Sequence, residues 1–182
     1  MIMDLMHFQG SVERDIHVFR DGVRIESVET ALRQVARDLS YQFTVLRGDR
    51  MANEAEVLRE LAQAFGLPHR GDAGYNRSWD GAADCITSMR WSHRSQSPSE
   101  SQRGHVVLFR EPAHLIAADA LSFATLLDLL GTRAESPEGR EVPFHVAVGP
   151  MSFRHEFFAT LLKVERHFCH DCQLVDRAEE DE

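Results

Sequence analysis

Short apolar runs and helical stripes alternate along this chain. Residues 15–19 predict a strand, ended by Arg20-Asp21-Gly22. Val28, Ala31, Leu32 and Val35 then fall on one face, which predicts a helix capped by Ser27 and reaching about Leu39. The order recurs. Residues 41–46 predict a strand, broken by Arg47-Gly48-Asp49, and Asn53 with Glu56 forms a capping box for the next helix. Val57, Leu58, Leu61, Ala64 and Phe65 give that helix its apolar face, and Gly66-Leu67-Pro68 stops it. Ser78 caps a third helix running to about Met89. Residues 92–104 are rich in Ser, Gln and Arg and read as a surface loop. A strand over 105–109, one long helix from Pro112 to about Arg133, a polar loop over 134–141 and a last strand over 143–148 complete the alternation. Strands alternating with helices predict a mainly parallel α/β sheet with right-handed crossovers. From Met151 the pattern turns helical again, with Phe153, Phe157, Leu161, Val164 and Phe168 on one face. An acidic tail ends the chain.

Composition narrows the partners. The 182 residues suit one domain with an appendage. The 29 acidic residues exceed the 20 basic ones, for a net charge of −9. A generic nucleic-acid binder is basic, so direct nucleic-acid binding is not expected, and a basic partner is. Three cysteines do not make a disulfide framework. No uncharged apolar run is long enough to cross a membrane, and the N-terminal residues lack the basic lead of a signal peptide. The expected location is cytoplasmic. HExxH, P-loop and GxSxG motifs are absent, and no catalytic residue, cofactor or metal is expected. Cys169-His170-Asp171-Cys172 is a single C-x-x-C pair. Zinc takes four ligands, so free thiols are the plainer reading.

The third helix carries the most informative chemistry. On a helix, Asp80 and Asp84 lie about 40° apart and project into one space. Trp79, Ala82, Ala83 and Ile86 take the core-like spacing. Taken alone, the two carboxylates read as a solvated face of an acidic protein. General acid–base work would need a pocket and a polar neighbour, and the sequence shows neither. A third use for such a face is to imitate the phosphates of a nucleic acid.

The stretch Tyr75-Asn76-Arg77-Ser78-Trp79-Asp80-Gly81-Ala82-Ala83-Asp84-Cys85-Ile86 resembles a segment of the barstar-like ribonuclease inhibitors. That segment runs aromatic, Gly, any, Asn, Trp or Leu, Asp, Ala, Leu, any, Asp, Cys, Leu. Phe43-Thr44-Val45-Leu46-Arg47-Gly48 resembles the family's first strand and turn, and Phe65-Gly66-Leu67-Pro68 its helix end. Trp91 matches the tryptophan that follows the motif. Val106-Val107-Leu108-Phe109 and Pro143-Phe144-His145-Val146 resemble its second and third strands, and residues 124–130 its penultimate helix. Ser78 stands where the family has Asn, Gly81-Ala82 where it has Ala-Leu, and Thr132 about where a relative has a carboxylate.

The resemblance implies an α/β fold: a barstar-like three-stranded parallel sheet flanked by helices. Around it we expect an N-terminal strand–helix extension over 1–40, the barstar-like domain over 41–150, and a C-terminal helix and acidic tail over 151–182. It implies a protein inhibitor, not an enzyme, that blocks a basic extracellular-type or toxin ribonuclease, as an immunity protein does. Asp84 would enter the nuclease's phosphate pocket and Asp80 would make a second charged contact. Tyr75, Ala83 and Thr87 would lie against the partner. The alternative is an interaction module that uses the same fold to bind a partner that is not a ribonuclease.

Overall fold

The computed structural model describes residues 15–20, 24–67, 78–88, 104–132 and 142–151, with backbone alone for 15–20 and for a few residues at element ends. In chain order the elements are β1 (Asp15–Arg20), α1 (Ile25–Leu39), β2 (Gln42–Arg47), α2 (Glu54–Phe65), α3 (Trp79–Ser88), β3 (His105–Arg110), α4 (Pro112–Ala118), α5 (Ala120–Thr132) and β4 (Phe144–Met151). A single 3-10 turn, Gly48–Arg50, follows β2.

All pairings are parallel, in the order β1-β4-β3-β2. The three strands β2, β3 and β4 form the barstar-like set. β1, from the N-terminal extension, adds a fourth at the β4 edge, with Ile16 opposite Val146 and Val18 opposite Val148. The two faces of the sheet have separate cores. Val107, Phe109, Val146 and Val148 pack with α2, α3, α4 and α5, around Leu61, Phe123 and Leu126. Val106, Leu108 and Ala147 face the other way, onto Val28, Leu32, Val35 and Ala36 of α1. Both faces of β3 are therefore covered, which is why its sequence is continuously apolar rather than alternating.

Handedness explains which helix goes where. The steps β2 to β3 and β3 to β4 move one way across the sheet, with their helices on one side. The step from β1 to β2 moves the opposite way, so a right-handed crossover carries α1 to the other side.

Local chemistry sets most boundaries as expected. The Asn53 side chain accepts from the Glu56 amide at 3.1 Å, and Glu56 reaches back to the Ala52 amide at 2.8 Å. Gly66 takes the left-handed conformation (φ 63°) that ends α2. Two expectations need correction. Ser27 is not a cap: α1 begins at Ile25 after Arg24, with no side-chain cap. The long helix from Pro112 is two helices. Asp119 leaves helical geometry, and its carboxylate accepts from the Ser122 amide (3.0 Å) and hydroxyl (2.6 Å), so it starts α5 as a new N-cap. The expected C-terminal helix and the C-x-x-C pair lie outside the described residues.

Candidate protein-binding site

Helix α3 is built to show one face and hide the other. Ser78 caps it, its hydroxyl accepting from the Gly81 amide at 3.1 Å. Ala82 and Ile86 are fully buried in the larger core, and Trp79, Ala83 and Cys85 pack at its border. The neighbours of α3 in that core are α2 and α5. The small Gly81 and Ala82 are both buried, so at these two positions α3 brings backbone and a methyl group, rather than a long side chain, to the core.

Asp80 and Asp84 are exposed on the outer side. Neither makes a hydrogen bond or ion pair with any described residue. Like charges at i and i+4 typically cost a few tenths of a kcal/mol, and Asp80 in the first turn recovers part of that from the helix dipole. Burial, and then the Asp84 charge, push the Cys85 thiol above its ordinary value. Cys85 is thus a weak nucleophile, and α3 offers carboxylates but no activated thiol.

The structure places Asp80, Ala83 and Asp84 on α3, with Ala83 half-buried at the edge between core and solvent. Thr87 belongs to α3 by its backbone, and its side chain lies outside the described residues, as does Tyr75. Among the described residues no group of His, Cys, Asp or Glu can hold a metal ion, and no helix is long and apolar enough to cross a membrane. His105 and His145, two of the chain's ten histidines, are buried in the sheet and belong to no site here. His145 stacks on Tyr41 with ring centroids 6.2 Å apart.

One charged group escaped the sequence reading. Glu60 sits at a stripe position of α2, three residues after Val57 and four before Ala64, and is only 7% exposed. An acid inside an apolar stripe was the signal available.

A parallel α/β sheet with a capped helix holding two exposed carboxylates away from its core defines the class: a scaffold that presents an acidic helix. The family model described as Barstar (barnase inhibitor) matches residues 41–149, more than half of the chain, and the chain belongs to that family. A comparison with curated proteins found no match.

Proposed function

We propose that this protein is an inhibitor that binds a basic, secreted-type or toxin ribonuclease by laying α3 across its active site. Asp84 pairs with the basic groups of the phosphate pocket, and Asp80 makes the second charged contact. Ala83, Thr87 and Tyr75 line the contact around them. One observation carries this reading: Asp80 and Asp84 are exposed, and unpaired among the described residues, on a helix whose opposite side is locked into the core. Their position is fixed before binding, so little ordering cost opposes association. The net charge of −9 adds attraction toward a basic enzyme and speeds encounter. A cytoplasmic inhibitor of this kind acts as an immunity protein, protecting the cell that makes the nuclease.

The test is a titration of the full-length protein into a secreted-type ribonuclease, with RNA cleavage and heat of binding both followed. Inhibition that is lost in Asp84→Ala, with folding intact, supports the reading. Unchanged affinity in both Asp80→Ala and Asp84→Ala overturns this interface. The substitutions Gly81-Ala82 and Thr132 leave room for the interaction-module alternative, which predicts capture of a partner without nuclease activity.

A further inference from the structure

From Asp15 to Val18, β1 alternates polar and apolar residues. Asp15 and His17 stand in register with His145 and Ala147, and Ile16 and Val18 with Val146 and Val148. Neighbours in a parallel pair share a face. Ile16 and Val18 are therefore placed on the face of the larger core, and Asp15 and His17 on the face of α1. Such alternation marks a strand with one face covered and the other wet.

The described helices of the covered layer stop short of β1. Right-handed steps carry α2 and α3 over β2 and β3, and α4 and α5 over β3 and β4. Among the described elements, β1 packs extensively only on β4, and α4 is the helix that reaches β4. The sheet face over β1 and the outer side of β4 is apolar by sequence and calls for one more helix beside α4.

The chain brings one to that place. β4 ends at Met151, in register with Arg20 at the end of β1. Gly149, at φ 135°, precedes Pro150, which has no amide hydrogen to give to the ladder. Residues 152–182 therefore start beside β1. Phe153, Phe157, Leu161, Val164 and Phe168 recur at helical spacing. On a helix they form a stripe about 22 Å long. The six residues of β1 span about 20 Å, so one helix running back along the strand covers it from end to end. The other connecting segments start elsewhere. Residues 68–77 and 89–103 belong to the crossover from β2 to β3, at the far side of the sheet.

We propose that the sheet face over β1 and β4 is a docking surface for the apolar stripe of residues 153–168 of the same chain, packed there as a further helix beside α4. The stripe is then part of the fold's core rather than a free arm for a partner. The inference does not depend on what α3 binds.

Full-length protein is labelled at its Ile and Val methyl groups, and NOEs from these methyls to phenylalanine rings are measured by NMR. The expected result is NOEs from Ile16 and Val18 to rings of the stripe, unchanged on dilution and absent between differently labelled copies. Phe157→Leu removes the Phe157 contacts, which assigns them. In Phe157→Asp the β1 amides exchange with solvent about tenfold faster or more, and those of α2 change less. Three results overturn the proposal: no NOE between the β1 methyls and the stripe, NOEs that arise only between copies, or NOEs to residues 1–14 in place of the stripe. Unchanged β1 exchange in folded Phe157→Asp overturns it as well. Should Phe157→Asp not fold, the NOEs of the native protein and of Phe157→Leu decide the question.

Discussion

In α1, Glu29 receives two bonds from Arg33 on one oxygen (2.7 and 3.0 Å) and one from Arg110 on the other (2.8 Å). The Arg33 guanidinium also sits over the Phe43 ring, 4.6 Å from its centroid. In α3, the carboxylates of Asp80 and Asp84 receive nothing from any described residue. Both helices bury an apolar side, α1 against the sheet and α3 against α2 and α5, yet one ties its acid internally and the other holds its acids outward. The difference teaches what each layer is for. The α1 core is small, and its rim is closed by an ion pair and a cation–π contact that fasten the helix to β2 and β3. The α3 side rests on the large core and needs no charge to hold it.

Four substitutions would break or sharpen that contrast. Asp84→Ala should cost about 2–5 kcal/mol in ribonuclease affinity by calorimetry, the general range for cutting a desolvated charge pair, for which the barnase–barstar interface is itself a worked case. Its melting temperature should stay put. Ile86→Ala, on the hidden side of the same helix, should do the reverse. Denaturant unfolding should show a loss of about 2–4 kcal/mol, since the residue is fully buried, with binding reduced only as far as folding is. Equal behaviour of these two variants would abolish the division between the faces of α3.

Glu29→Gln comes next, with an expected loss of about 1–2 kcal/mol in stability, because it unties Arg33 and Arg110 together. Its pH dependence sharpens the point. Burial pushes the Glu29 carboxyl up, but the Arg33 bond and charge, with Arg110 behind them, outweigh burial and hold it below its ordinary 4.5. A depressed carboxylate stabilises fully above its unfolded value and loses that contribution as pH falls through the folded one. The stability gap between the native protein and Glu29→Gln should therefore be widest near neutral pH and close as pH drops below about 4.5. A gap independent of pH would mean the ion pair contributes nothing. The smallest effect belongs to Asp80→Ala, where loss of the helix-dipole contact offsets relief of the Asp84 repulsion. Unfolding should change by less than about 0.5 kcal/mol.

Much of this was legible along the chain because the signals were local. Caps at Asn53 and Ser78, the glycine stop at Gly66 and the apolar run of β3 each act within a few residues. The break at Asp119 was missed because the stripe on either side continues, and a capping aspartate looks like any polar residue on a helix. The place of β1 was not legible either. It is decided by pairing with a strand from the far end of the chain, which no local pattern encodes. For α3 the sequence identified the two carboxylates. That no described residue pairs with them is not written in the local pattern, since an arginine distant in sequence could have taken them, as Arg110 takes Glu29. Glu60 hid for the same reason, because its burial is set by the packing of the whole fold.

The pairing of β1 with β4 also sets an order of events during synthesis. Of the four described strands, β1 leaves the ribosome first, and β4, which it must join, leaves last. Until then an unpaired strand and its tethered helix wait beside a growing nascent chain, and non-local pairing of this kind is slow. Shortening the chain from its N-terminus would leave β4 as a bare edge, open to pairing with another molecule. The first strand thus acts as a guard for the last one, and its absence would be felt as aggregation before it was felt as lost binding.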